Sequence, residues 1–328
     1  MKYIEFDNQL KATYSFALEE YIMTQAKFAD EYFMFWRTKP TVMIGRFQNT
    51  IEEINVKFIK ENEIDVVRRN SGGGTIYTDE NTWQFSFITW KEYGKVKNFR
   101  SFTQPIIEAL KELGINVVFS GRNDLMFNGK KISGNAQFSI GNRFLHHGSI
   151  LFDTNIENMV NSLLVSDEKI VSKGIKSVKE RVTNIRQSLN NSDISSEEFK
   201  EKMLAIIGKK METIDICNAD LIEIKKIESK KFLSWDWNYG KSPEFNITKT
   251  TQTQGGKFVV NLDVKNGIIA NCKLNGDFFF TGDIMAFERI FIGCKYEETA
   301  MSNKILTENN VGSFDSISNT DLINCFVI

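Results

Sequence analysis

Three consecutive glycines, Gly72-Gly73-Gly74, stand inside the run Arg68-Arg69-Asn70-Ser71-Gly72-Gly73-Gly74-Thr75-Ile76-Tyr77. The β-branched segment Ile64 to Val67 precedes it, and the alternating Phe85-Ser86-Phe87-Ile88 follows it, so the glycines join one strand to another. This setting excludes two phosphate-binding patterns. The loop of nucleoside triphosphatases opens a helix and carries GxxxxGK[ST], and the dinucleotide fingerprint is GxGxxG; the run matches neither. Two guanidinium groups, a hydroxyl and bare backbone suit phosphate oxygens. A tight turn or bulge is the other reading that three glycines allow.

The 328 residues exceed what one hydrophobic core normally holds, so a second domain is expected. Lys and Arg total 41 against 42 acids, a net charge of −1, which leaves no global basic field for nucleic acid. Anion binding must therefore be local. Cys217, Cys272, Cys294 and Cys325 show no CxxC spacing, so a zinc site is not indicated. The opening MKYIEFDNQL carries charges throughout and has no signal-peptide core, and no apolar run approaches the roughly 18 residues that span a bilayer. The chain reads as cytoplasmic, with reduced thiols and no membrane partner.

Along the chain, Met1 to Phe6 reads as a strand, and Ala17, Leu18, Tyr21 and Ile22 mark a helix after Thr13. Tyr32 to Trp36 and Thr41 to Ile44 read as strands, and Glu53 to Asn62 as a helix. Ser101 is expected to cap a helix through Leu113 with Gly114 as its stop. Two polar turns, Gly121-Arg122-Asn123-Asp124 and Lys130-Lys131-Ile132-Ser133-Gly134, bracket a hairpin. Lys131 there is either a solvated tip residue or a point charge for an anion. His146 and His147 precede a strand and face opposite ways, so at most one enters any site. Asn155 or Thr154 caps a further helix, and Ser195 with Glu198 forms a capping box. The run from Ser166 to Arg186, with Lys169, Lys173 and Gly174, is a solvated loop or a cationic lid. After Gly255 the pattern becomes a hairpin turning at Asn266-Gly267, followed by helical segments.

Taken together, GRFQN at Gly45 to Asn49, RRNSGGGTIY at Arg68 to Tyr77, GRNDL at Gly121 to Leu125, GKKISGNAQ at Gly129 to Gln137 and HHGSILF at His146 to Phe152 resemble lipoate–protein ligases of the biotin and lipoate ligase superfamily. KIVSKGIKSVKERVTNI at Lys169 to Ile185 resembles that family's adenylate-binding loop, and the C-terminal hairpin unit resembles its accessory domain. The resemblance implies an α+β fold: a catalytic domain over residues 1–245, with mixed and antiparallel sheets flanked by helices, and a small α+β domain over 246–328. It implies that ATP and lipoate give lipoyl-AMP and pyrophosphate, and that the lipoyl group then passes to an acceptor lysine. Lys131 corresponds to the catalytic lysine at the lipoate carboxylate and α-phosphate. Arg69, Ser71, Gly72, Gly73, Gly74, Thr75, Ile76 and Tyr77 correspond to the adenylate-binding loop, with Asn123, Asp124 and His147 as further contacts. Asp124 corresponds to a Mg²⁺ contact. The implied partners are apo-lipoyl domains of 2-oxoacid dehydrogenase acyltransferase subunits or glycine-cleavage H protein, met by a monomer.

Tyr77-Thr78-Asp79-Glu80-Asn81 departs from the family's Tyr-His-Asp-x-Gly-Asn turn, since its histidine and glycine are missing. Lys130 beside Lys131 leaves the catalytic position ambiguous by one residue until it is aligned on Ile132-Ser133-Gly134. Within the superfamily, an acyl amidotransferase working through a cysteine thioester is the main alternative, yet every cysteine lies after residue 216. A half-reaction enzyme using preformed lipoyl-AMP is a second, and a non-catalytic lipoyl-binding relative a third. The last would be expected to lack Lys131 or Arg69. The GRGRxxR-like loop of biotin ligases is absent.

Overall fold

The computed structural model describes residues 1–328 apart from 8, 26, 49, 92–97, 164–179, 191, 210, 240–246, 266, 297, 308–310 and 327–328. The fold is α+β and divides into two compact units. The first comprises Met1–Met43, Ile51–Arg68 and Ile76–Asn238; the second comprises Ile44–Thr50, Arg69–Thr75 and Tyr239–Ile328.

The first unit is built on an eight-stranded sheet among the described residues. Its strand order is Glu212–Asp215, Lys2–Glu5, Tyr32–Trp36, Thr82–Trp90, Arg143–Leu151, Lys130–Ile140, Asp124–Phe127 and Val118–Ser120. The first two pairings are parallel and the rest antiparallel. Successive residues of the central strands point to opposite faces. On one face Phe33, Phe35, Phe85 and Phe87 pack with Ile106, Leu110 and Phe199 from helices Phe99–Glu112 and Ser196–Ile207. On the other, Met34, Trp36, Ile88 and Leu145 pack with Phe16, Leu18 and Ile22 of helix Ala12–Thr24. Burial on both faces explains why Tyr32–Trp36 reads as an unbroken apolar run.

Local signals set several helix ends. Ser195 and Glu198 form the expected reciprocal capping box, and the Asn155 side chain accepts from Asn158 N–H. The cap expected at Ser101 is corrected: Asn98 is the cap, and its side chain accepts from Ser101 N–H at 2.9 Å. Both residues are good caps, but Asn98 lies three residues upstream and takes the amide that a cap oxygen reaches. The single helix expected over Glu53 to Asn62 is two, Thr50–Glu53 and Val56–Glu61, because Asn55 breaks the pattern and caps the second.

The second unit holds the antiparallel strands Ile247–Thr253, Gly256–Lys265 and Ile268–Gly276, a short pair Phe280–Gly282 with Gly312–Phe314, and helices Ile284–Arg289, Glu298–Thr307 and Asn319–Phe326. Phe258, Leu262, Phe278, Phe291 and Phe326 are buried in its core. No helix among the described residues is long and apolar enough to cross a membrane.

Candidate active site

A one-residue slip in the sheet of the first unit determines where Lys131 points. Asp124 pairs with Gly134 and Leu125 with Ser133, but Met126 pairs with Lys131, so Ile132 is the extra residue of a β-bulge. In a regular strand, positions 131 and 134 would face opposite ways. The bulge brings them to one face, where a side chain at Gly134 would lie 3.2 Å from both Cε and Nζ of Lys131. Gly134 thus keeps open the groove that holds the lysine. The Lys131 ammonium lies 2.7 Å from Asp124 Oδ1. Oδ1 itself is buried, and among the described residues the ammonium is its charged neighbour. Lys130 instead pairs along the backbone with Phe127 at the hairpin tip, where Asn128 and Gly129 both take positive φ as a two-residue hairpin turn requires. Thr183 N–H donates to the Lys131 carbonyl at 3.0 Å, so the segment after residue 179 is tied beside the lysine.

Asn123 supports this arrangement by exchange with Asn135. Its Nδ2 donates to the Asn135 carbonyl at 2.6 Å, and the Asn135 main-chain and side-chain N–H groups both donate to the Asn123 carbonyl at 3.0 Å. The adjacent histidines separate as strand geometry demands. His146 is fully buried on the face away from Lys131, with Nδ1 2.9 Å from Gln137 Nε2 and Nε2 3.2 Å from Asn135 Oδ1. Accepting at Nδ1 and donating at Nε2 assigns it a neutral tautomer, and burial holds its pKa well below the usual value. His147 pairs with Ala136, which shares the face of Gly134, and its Nδ1 lies 3.2 Å from Glu19 Oε1. Glu19 also accepts from Ser86 Oγ at 2.6 Å, and Ser86 accepts from Trp36 Nε1. Glu19 is 1% exposed and escaped the sequence reading. An acid directly after the apolar run Phe16-Ala17-Leu18 is the signal that marks it.

The glycine loop is described within the second unit. Arg69 is buried, and its guanidinium turns into the loop: Nη2 donates to the carbonyls of Gly72 at 2.8 Å and Gly74 at 2.7 Å, and Nε donates to Ser71 Oγ. Gly73 has φ +89°, and its N–H donates to the Phe278 carbonyl. A Cβ at Gly72 would stand 2.4 Å from that same carbonyl oxygen, and one at Gly73 2.9 Å from the Phe279 ring. At Gly74 the nearest atom would be 3.8 Å away. Among the described residues, packing therefore accounts for the first two glycines and not for the third. Thr75 Oγ1 donates to Gln48 Oε1, which also accepts from Gly45 N–H.

The loop springs from strands of the first unit. Arg68, read from sequence as half of an anion-binding pair, instead donates through Nε to the Trp237 carbonyl at 2.9 Å, while its own N–H donates to Asn238 Oδ1. Ile76 and Tyr77 pair with Met43 and Val42. The departure at Thr78 is accommodated: its hydroxyl accepts from Gln84 Nε2, and Asp79 Oδ1 accepts from Asn81 N–H and Thr82 Oγ1. None of residues 78–82 takes positive φ, so the turn needs no glycine. Lys169, Lys173 and Gly174 lie outside the described residues.

Residues 11–208 match the lipoyl protein ligase A/B catalytic domain, and residues 242–326 match the bacterial lipoate protein ligase C-terminus. The chain is 38% identical to lipoate-protein ligase LplJ of Bacillus subtilis over 328 residues, covering 98% of this chain and 99% of that protein. The chain belongs to the lipoate–protein ligase family. This family member is similar in structure to LipL1 of P. falciparum, solved in complex with lipoate, with a TM-score of 0.78 at 25% identity over 94% of each chain. It also resembles the bipartite lipoate protein ligase of Thermoplasma acidophilum, studied with its E2 lipoyl domain, at a TM-score of 0.67 and 25% identity. That likeness covers 75% of this chain and 98% of the archaeal one.

Proposed function

We propose that this ligase joins lipoate to ATP, releasing pyrophosphate, and then passes the lipoyl group from lipoyl-AMP to a lysine of an apo-lipoyl domain. The observation that carries this reading is the bulge-held Lys131 with its ammonium on Asp124, in a chain matched over 98% of its length by a lipoate ligase. In the first half-reaction a carboxylate oxygen attacks the α-phosphorus and pyrophosphate leaves. In the second, the acceptor amine attacks the acyl carbonyl, loses a proton and displaces AMP. Lys131, a compact cation, stabilises negative charge developing in both steps. In the second unit Arg69 and Ser71 hold the Gly72–Thr75 loop, and Gly74, whose missing side chain no contact among the described residues explains, is where its backbone meets the ligand. Ile76, Tyr77, Asn123 and His147 are assigned supporting contacts.

Mg²⁺ fits as a companion of ATP and not as a resident ion. Among the described residues no three His, Cys, Asp or Glu side chains gather as ligands, and Mg²⁺ is commonly held by one carboxylate and the substrate phosphates. Asp124, whose Oδ1 also faces the Lys131 ammonium, would supply that carboxylate, and the ion when bound would neutralise phosphate charge.

The thioester alternative is disfavoured by two of the four thiols. Cys272 and Cys325 are buried, and burial raises the pKa of each, away from the nucleophilic thiolate. The acceptors proposed are acyltransferase lipoyl domains or glycine-cleavage H protein, met in the cytoplasm by a monomer whose catalytic and accessory domains meet near residue 245. Purified protein with lipoate, ATP and Mg²⁺ should add one lipoyl group to an apo-lipoyl domain, read by intact mass, with stoichiometric pyrophosphate. Absence of pyrophosphate with every acceptor refutes the ATP-dependent reading, and offering the two acceptor classes separately gives the preference.

A further inference from the structure

We propose that His146, fully buried on the face of the sheet away from Lys131, is a positioning residue that fixes the Asn123–Asp124 turn through Asn135. The inference deepens the ligase reading and rests on it, since that reading assigns Asn123 and Asp124 to the nucleotide.

The Asn123 carbonyl is the fixed point, because a carbonyl oxygen only accepts. It takes the Asn135 main-chain N–H and Asn135 Nδ2, each at 3.0 Å. The amide nitrogen of Asn135 must therefore face Asn123, and its Oδ1 must face the other way, where it meets His146 Nε2 at 3.2 Å. Nε2 then carries the proton, and Nδ1 accepts from Gln137 Nε2 at 2.9 Å. With the proton on Nδ1 instead, two acceptors would face each other between His146 and Asn135. Turning the Asn135 amide over would only move that clash onto the Asn123 carbonyl. Either arrangement leaves buried polar atoms unpaired, which costs more than a hydrogen bond gains. Gln137, His146 and Asn135 are thus polarised in one direction, and that direction ends on Asn123.

The imidazole is held in place by stacking on Phe102, with centroids 5.0 Å apart and planes 11° from parallel. Gly148, opposite Asn135 on the neighbouring strand, leaves room for the relay: a Cβ there would lie 2.3 Å from Asn135 Oδ1 and 2.5 Å from Phe85 Cζ. Gly148 lies inside a strand and has no positive φ, so this contact, not backbone freedom, is its reason. Asp124 and Gly134 are the next pair in register after Asn123 and Asn135, and Asp124 Oδ1 faces the Lys131 ammonium at 2.7 Å. The relay therefore ends on the turn that carries the partner of Lys131.

The test uses the full chain. Nitrogen-15 spectra of wild type at pH 7.5 should show His146 as the Nε2–H tautomer; the Nδ1–H tautomer overturns the relay, whatever the variants do. His146→Met removes the donor, and His146→Gln restores one near the Nε2 position. In the methionine variant, amide exchange at Asn135 should quicken about tenfold, the effect of one lost hydrogen bond, while strands of the second unit keep their rates. The KM for MgATP should rise about tenfold as well, with that for lipoate within about twofold, and the glutamine variant should recover both. A merely structural His146 would lower the folded fraction and leave both KM values alone, and that result overturns the positioning role. Absence of pyrophosphate release from wild type refutes the ligase reading alone, and the tautomer and amide exchange then decide the relay.

Discussion

Lys131 Nζ and Asp124 Oδ1 stand 2.7 Å apart on neighbouring strands whose register slips by one residue between them. The side chains are 37% and 33% exposed, so solvent screens the pair and it contributes at most about 1 kcal/mol to stability. Lys131→Ala should therefore leave the unfolding free energy within about 1 kcal/mol of wild type. Pyrophosphate release should fall by a factor on the order of 10² to 10³, as when one charge-stabilising donor is lost. Chemical denaturation and a coupled phosphate assay check the two halves; unchanged turnover removes Lys131 from its role.

Gly134→Ala separates positioning from charge. The new methyl group would stand 3.2 Å from Lys131 Cε and Nζ, so the flexible lysine moves while the strand persists. The loss of turnover expected for a displacement near 1 Å is on the order of 10²-fold, with a melting temperature close to wild type. Serine at 134 should behave like alanine, since the Cβ alone causes the contact. Full activity in both would show that the lysine needs no fixed berth.

The three glycines should respond unequally. Gly72→Ala meets the Phe278 carbonyl oxygen at 2.4 Å, a backbone atom that cannot rotate away, and should cost about 1–3 kcal/mol. Gly73→Ala adds a left-handed conformation, φ +89°, worth a further 1–2 kcal/mol or so. Gly74→Ala has 3.8 Å of clearance and should melt with the wild type while losing lipoylation activity. Thermal unfolding of the three variants beside single-turnover adenylation gives the comparison; an active, stable Gly74→Ala would remove the ligand from that position.

Much of this was legible wherever the determinant is local. The Ser195–Glu198 capping box, the Asn155 cap and the hairpin around Gly267 depend on neighbours within a few residues, and the alternation of His146 and His147 follows from strand pleat alone. What depends on distant partners was not legible. Composition makes Arg68 and Arg69 look like anion ligands, but the fold turns one onto Trp237 and the other onto its own loop. The bulge at Ile132 has no sequence signature, because it is a mismatch between two strands, and yet it decides where Lys131 points. Glu19 was passed over because its partners, Ser86 and His147, lie 67 and 128 residues away.

His146 should impose an acid limit on stability. It is neutral in the folded protein because burial lowers its pKa, whereas in the unfolded chain it takes up a proton near pH 6.5. Below about pH 6.5 the unfolded state therefore binds more protons, and this group withdraws about 1.4 kcal/mol per pH unit. Above that pH its contribution is complete. Denaturant titrations at pH 7.5 and 5.5 should show a steeper loss for the wild type than for His146→Gln, whatever the variant's absolute stability. Parallel losses would mean that His146 is charged in the fold.

The grouping of Arg69–Thr75 with Tyr239–Ile328 bears on how the protein is made. Phe278, which receives the Gly73 N–H, follows Gly73 by 205 residues (278 − 73). At about 5–20 residues per second, a ribosome needs roughly 10–40 s to reach it. Throughout that interval the nascent glycine loop lacks the backbone it rests on. A segment translated in the first quarter of the chain is thus among the last to take its final form, and a prematurely terminated polypeptide carries the loop without its seat.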